Sequence, residues 1–242
     1  MRAPMELDEV GPEYRSIHDD NLRLTGFRSE YFCDRKVREM ARCLASSGSD
    51  QHTGTVLDLG CGDGLCASYL QRHFPDSSIH GIDVAWPGLQ VATSRHPHGA
   101  LFSIYDGERA PFADSSFDLV LVANVLHHVT AAVRNRLLRE IHRLLRADGR
   151  LFIFEHNPYN PVTRYLVRTC CFDHGVTLLS PLRLRRLLRN AGFTPRFGFM
   201  IFVPGMLRRL DVMERFMRWL PLGGQYVVDA HKRRSAVHTH LA

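Results

Sequence analysis

The sequence predicts an α/β chain built on a doubly wound, mostly parallel sheet, and three observations predict it. The first is Val56-Leu57-Asp58-Leu59-Gly60-Cys61-Gly62-Asp63-Gly64, a run of strand formers that breaks into three alternate glycines. A helix-compatible stretch, 65–70, follows at once. A glycine turn between a strand and a helix is where open α/β sheets bind nucleotide-like ligands. The second observation is a series of later apolar runs that end in acids or amides: 78–83 at Asp83, 101–107 at Asp106-Gly107, and 117–124 at Asn124. The third is size: 242 residues at 45% hydrophobic content supply one full core and little more.

Ahead of the sheet, residues 9–48 read as helices, and the first 50 residues as a helical lid. Ser29 is a candidate cap for a helix over 30–45, whose Phe32, Val37, Met40, Ala41 and Leu44 form an apolar stripe. Residues 46–50 are a loop, and the glycine-terminated strand comes next. After the fourth strand, Thr130 would cap a helix with Val133, Leu137, Leu138, Ile141, Leu144 and Leu145 inside. Asp148-Gly149 would end that helix, with Gly149 in a left-handed conformation. Residues 150–154 make a fifth strand, and 156–180 an insertion on the substrate side. Ser180, Pro181 and Gly192 are cap, first turn and stop of a helix over 181–191. A terminal hairpin would pair 196–203 with 225–230. Between its strands, 206–220 can be drawn as a basic amphipathic helix, read here as a lid that packs on the domain. The tail from His231 has no core pattern.

Two ligand classes compete for the glycine turn. A dinucleotide fingerprint is G-x-G-x-x-G with a pyrophosphate at the helix N-terminus. Here the spacing is G-x-G-x-G, and Asp58 and Asp63 would repel a pyrophosphate while suiting a cationic ligand. The chain from about residue 14 to 230 resembles the class I S-adenosylmethionine-dependent methyltransferases, in their small-molecule, type 11-like branch. The resemblance implies a Rossmann-like sheet of seven strands with the last antiparallel, helices on both faces, and a methyltransferase domain over 51–242. It implies S-adenosylmethionine as cofactor, held by Asp58, Gly60, Cys61, Gly62 and Gly64 at the turn. Asp83, with Val84 beside it, would meet the ribose; Asp106 and Gly107 would meet the adenine; Asn124 would close the site at the fourth strand.

Methyl transfer needs alignment, exclusion of water and, for an acidic acceptor, a base. The resemblance puts the methyl at the carboxyl ends of strands four and five, where His127-His128 and Glu155-His156-Asn157 stand. His156 and His128 are the candidate general bases, and Glu155 would orient His156 or bind a cationic group of the substrate. A turn stapled by Asn157-Pro158 and Asn160-Pro161 is the plainer account of the second cluster. Tyr14 and His18 in the lid, with Tyr159 and Arg164 in the insertion, are candidate substrate contacts. Oxygen is the favoured acceptor atom, nitrogen the next, on a small molecule.

Composition narrows the classes further. The net charge of +6 is carried almost wholly by arginine, since Lys36 and Lys232 are the only lysines. The arginines crowd the last third, from Arg183 to Arg218, as a nucleic-acid face, a membrane-surface face or a solvated helix face. No nucleic-acid-binding signature accompanies them, so no nucleic-acid partner is expected, and peripheral membrane contact is not favoured. An RNA or protein methyltransferase would have to rest on that charge alone, because Asn124-Val125-Leu126-His127 replaces the N-P-P-Y type of tetrapeptide. A cofactor-binding homologue without activity is the remaining alternative, and the intact glycines and acids argue against it. Six cysteines without C-x-x-C spacing, and no apolar run of 18 residues, predict a reduced cytoplasmic protein. No His-x-x-x-His pair lies beside a carboxylate, so no metal is expected.

Overall fold

A computed structural model describes residues 14–23, 26–48, 54–173, 175–200 and 218–233. Two helices, α1 (Tyr14–Leu22) and α2 (Ser29–Ser46), precede a regular alternation of strand and helix. The series runs β1 (Thr55–Leu59), α3 (Leu65–His73), β2 (Ser78–Asp83), α4 (Trp86–Arg95), β3 (Ala100–Ile104), β4 (Phe117–Ala123), α5 (Ala131–Leu144) and β5 (Leu145–His156). Then come α6 (Pro161–Thr169), a 3-10 turn (Cys171–Asp173), α7 (Pro181–Asn190), β6 (Phe193–Met200) and β7 (Gln225–Lys232). The seven strands lie in the order β3-β2-β1-β4-β5-β7-β6. The first five are parallel, and β7 inserts antiparallel between β5 and β6.

Alternation along the strands divides the core between two faces. Val56, Leu119, Leu121, Phe152 and Phe154 pack with Val37 and Met40 of α2 and Leu70 of α3. Leu57, Leu59, Val120, Val122 and Ile153 pack with Leu138 and Ile141 of α5 and Leu184 and Leu188 of α7. The sheet is thus wound on both faces, and strand order reverses between β1 and β4. That reversal opens a crevice at the carboxyl ends of the two strands.

Several local expectations change. Ser29 does not cap α2: it is the first helical residue, and its N–H and hydroxyl both donate to Asp19 of α1, at 2.8 and 2.5 Å. A carboxylate from the preceding helix therefore satisfies the helix end. Gly149 does not stop α5 in a left-handed turn, because the chain is already extended at Leu145, which pairs with Phe117 of β4. Glycine is needed at 149 for space, since a Cβ there would lie 2.7 Å from Leu145 Cδ2 and 3.1 Å from Asp118 O. The terminal hairpin pairs Phe193 with Lys232 and Met200 with Gln225, so both strands sit earlier or run longer than the sequence suggests. Helices α4 and α6 escape the sequence reading altogether. The expected helix over 206–220 lies, apart from its last three residues, outside the described residues. Thr130 and Ser180 do cap α5 and α7, accepting from Val133 N and Arg183 N. On α7, Arg183, Arg186 and Arg189 face solvent, while Arg185 stacks over Phe197. Among the described residues no helix is long and apolar enough to cross a membrane.

Candidate active site

The crevice is a cavity of about 750 Å³. Its floor is the glycine turn and the ends of β1, β2, β4 and β5; α1, α2 and α6 form its walls. Of the expected cofactor residues, Asp58, Gly60, Cys61, Gly62, Asp83, Val84, Gly107 and Asn124 line it. Gly62 has φ +53°, and a Cβ there would meet no atom within 4 Å, so this stretch of backbone stands bare against the cavity. The Asp83 carboxylate accepts from Gly62 N at 2.8 Å and Ala85 N at 2.9 Å, which ties the second strand end to the turn. Asn124 takes a left-handed φ of +59°, and its side-chain carbonyl accepts from Gln225. Gly64 lies behind the wall as the left-handed cap of α3, packed against Ala92.

Two acids depart from expectation. Asp106 does not line the cavity; its carboxylate accepts from Glu108 N and Arg109 N and so closes its own turn. Asp63 is paired with Arg15 of α1 at 2.5 Å and with Arg95 of α4 at 3.2 Å. Its charge therefore anchors the N-terminal helix while the residue also lines the cavity. Asp58 is more deeply buried than Asp63 and has no arginine partner among the described residues. Burial, with the Asp83 charge beside it and only Lys36 opposing, pushes its carboxyl up to about 7.

The far end of the cavity is polar and crowded. His127 and His128 sit on the turn after β4, which Arg134 of α5 holds by donating to Leu126 O and Val129 O. Glu155, fully buried, accepts from Leu126 N at 2.8 Å and lies 2.6 Å from His127 Nδ1. It thus orients His127, not His156, and does not reach the cavity. His156 does line the cavity, its ring centroid 5.1 Å from that of His127. From the 3-10 turn, Asp173 Oδ1 approaches His127 Nε2 to 3.5 Å and His128 Nε2 to 3.4 Å.

Charge is divided unevenly among these groups. Burial opposes protonation of His127, but Glu155 and Asp173 outweigh it and raise the imidazole to about 9. Burial and the charge of His127 then press His128 down to about 4 and His156 to about 3. Asp173 is held well below the usual carboxylate range against its burial by the neighbouring histidines. At neutral pH His128 and His156 are therefore neutral rings and weak bases.

The remaining candidates divide. His18 lines the cavity and lies 2.9 Å from the Ser29 hydroxyl. Tyr14 opens α1. Tyr159, in the turn before α6, and Arg164, on the outer edge of α6, are exposed and away from the cavity. Asn157 is a staple: its Nδ2 donates to Pro221 O and Gly223 O, and Asn160 Nδ2 donates to Leu222 O. Sequence reasoning passed over Lys36, Arg15 and Asp173. A buried lysine on the apolar stripe of α2 was one available signal, since charges are seldom buried without a role.

Comparison with known proteins bears on the domain and the fold. Residues 57–153 match the methyltransferase domain family of type 11. The chain is 39% identical over 105 residues to a demethylmenaquinone methyltransferase of Thermotoga maritima, covering 43% of this chain and 44% of that one. It is 29% identical over 139 residues to a ubiquinone/menaquinone biosynthesis C-methyltransferase of Desulfotalea psychrophila, covering 57% and 56%. A phthiotriol/phenolphthiotriol dimycocerosates methyltransferase of Mycobacterium ulcerans is 35% identical over 111 residues, covering 46% and 40%. The chain thus spans about half the length of these curated relatives. Among solved structures, a Thermotoga maritima protein described as a possible histamine N-methyltransferase superposes with TM-score 0.64 at 20% identity, covering 91% and 98% of the two chains. A methyltransferase of Aquifex aeolicus gives 0.60 at 17%, covering 92% and 98%. The domain match runs from β1 to β5, and the whole sheet has the fold of the solved methyltransferases on which the chain superposes.

Proposed function

We propose that the protein transfers the methyl group of S-adenosylmethionine to a small molecule that carries an ionisable hydroxyl, with that oxygen as the favoured acceptor. One observation carries the reading: a single cavity joins the bare glycine turn and its acids to the histidine cluster. The residues suit the cofactor. Gly62 leaves room for close approach of a ligand to backbone, Asp83 presents a carboxylate at the second strand end, and Asp58 is an acid that a neighbouring cation would ionise. Bound there, S-adenosylmethionine supplies a methyl on a sulfonium sulfur, which an acceptor atom takes as the carbon–sulfur bond breaks. The chain's own residues do the rest. Phe27, Phe32, Leu166 and Phe172 give the acceptor an apolar seat and exclude water. His128 and His156, neutral at pH 7, accept hydrogen bonds from the acceptor and position it. Glu155 holds the His127 ring in one orientation.

A second reading, methylation of a carbon next to that hydroxyl, is favoured by the relative named for C-methylation in quinone biosynthesis. Both readings need the hydroxyl. Incubating the protein with S-adenosylmethionine and a matched set of phenols and amines, and following S-adenosylhomocysteine, tests the proposal. Turnover with phenols is expected; turnover with amines alone would overturn it. The NMR chemical shift of the new methyl group separates an O-methyl from a C-methyl outcome.

A further inference from the structure

The metal-free geometry of His127, His128 and Asp173 is unusual for three polar groups at a cavity wall. One ring nitrogen of each histidine and one carboxylate oxygen all lie within 4.8 Å of one another. The two distances to Asp173 Oδ1 are 3.5 and 3.4 Å, too long for charge-assisted hydrogen bonds, which close to about 2.7–2.9 Å. Those two separations are close to another arrangement, and the two histidine nitrogens, within 4.8 Å of each other, would close on an ion as it binds. Two bonds of about 2.0–2.1 Å that meet at a tetrahedral angle separate their donor atoms by about 3.3–3.4 Å.

A second observation is independent of those distances. His127 Nε2 is a buried polar atom with no hydrogen-bond partner, on a side chain with no exposed surface. Its orientation is imposed from behind, because Nδ1 donates to Glu155 Oε2 at 2.6 Å. Nε2 therefore faces Asp173 Oδ1 at 3.5 Å without a closed hydrogen bond, and a cation bound between them would take the place of a proton on that nitrogen. A carboxylate behind a histidine is also the usual support of a metal-binding imidazole, since it fixes the tautomer and strengthens the donor.

We propose that His127, His128 and Asp173 form a tetrahedral site for a divalent cation of the zinc class, with Glu155 as supporting carboxylate and the fourth position open to the cavity. Three protein ligands with one open position is the pattern of a site that does chemistry rather than one that only braces the fold. Asp173 and Glu155 together balance the charge of a divalent ion. Resting on the methyl-transfer reading, the fourth position takes the acceptor's hydroxyl oxygen. On coordination the hydroxyl loses its proton to solvent and stays as an alkoxide or phenolate, as metal-bound water does near neutral pH. This would activate the acceptor without a separate general base.

The test uses the full-length protein, stripped with chelator and titrated with Zn2+ and Co2+ in separate experiments. We expect one tight equivalent of Zn2+ in a competition assay with a chromophoric chelator. We expect Co2+ to give the intense visible absorption of a tetrahedral centre. Asp173→Asn and His128→Gln should each weaken Zn2+ binding by 100-fold or more, while His142→Gln, far from the cluster, should leave it unchanged. Circular dichroism confirms that each variant is folded, and Asp173→Asn is the conservative change should His128→Gln fail that check. Absence of a tight equivalent, or one that survives both substitutions, overturns the site. Adding acetohydroxamate to the Co2+ form should shift the absorption; no shift overturns the open position. Calorimetry with S-adenosylhomocysteine on the stripped protein separates the two readings. Cofactor-product binding without metal binding sinks the site alone, and metal binding without product binding sinks the methyl-transfer reading alone.

Discussion

At the scale of single residues, the cavity assigns different work to acids that look alike in the sequence. Asp83 accepts from Gly62 N of the glycine turn with one oxygen and from Ala85 N with the other, so Asp83→Ala removes a charged acceptor and loosens the turn together. S-adenosylhomocysteine binding by calorimetry should weaken by about 1.5–3 kcal/mol, and affinity equal to the parent's would refute the assignment. Asp58 makes a prediction in pH. Its folded value of about 7 lies above the ordinary carboxylic value of about 4, so the folded state holds the proton more tightly than the unfolded chain. Its contribution to stability is therefore lost as pH rises from about 4 to 7, under the influence of Asp83, Asp63 and Lys36 around it. The melting temperature of ligand-free protein should fall more steeply between pH 5 and 7.5 than that of Asp58→Asn; parallel curves would contradict the burial argument. Glu155 is the opposite case, an acid committed to the interior. Glu155→Ala leaves His127 buried without its partner and should cost about 3–5 kcal/mol in chemical denaturation. Arg164→Ala on the exposed edge of α6, and Tyr159→Ala in the turn before it, should change neither binding nor stability by more than about 0.5 kcal/mol.

At the scale of elements, the site is assembled by side chains that reach between helices and loops. Arg15 ties α1 to the glycine turn through Asp63, and α1 carries His18 to the cavity wall. Arg15→Ala should raise amide exchange in α1 and weaken S-adenosylhomocysteine binding several-fold, without lowering the protection of β1 and β4. If α1 stays as protected as in the parent, the ion pair is not what holds it. The elements also show why the sequence was legible in parts. β1, β2 and β4 announce themselves as apolar runs closed by Gly60, Asp83 and Asn124, because a strand buried on both faces has little choice of residue. Thr130 and Ser180 were readable because a cap is a local interaction. The cap of α2 was not, because Asp19 supplies it from another helix. Nor was the stop of α5, where pairing of Leu145 with Phe117 overrides the local signal of Asp148-Gly149.

At the scale of the whole molecule, what stayed hidden is what tertiary contact alone creates. The spacing of His127, His128 and Glu155 is visible in the chain, yet nothing local brings Asp173 to them across 45 residues. The acids at the strand ends were read correctly as landmarks, but their partners redistributed the roles. Asp63 pairs with arginines at the cavity wall, Asp106 closes its own turn, and Asp58 lines the cavity without an arginine partner among the described residues. Sheet topology places all of this at one crevice, where strand order reverses between β1 and β4. The central claim is that this crevice holds S-adenosylmethionine against the backbone of Gly62. The most direct measurement is calorimetric titration of S-adenosylhomocysteine into the parent protein and into Gly62→Val, where a branched side chain would enter the cavity at a φ of +53°. We predict one-to-one binding to the parent, no competition by NAD, and loss of binding in a variant whose circular dichroism is unchanged. Failure of the parent to bind, or equal binding by the variant, would contradict the account.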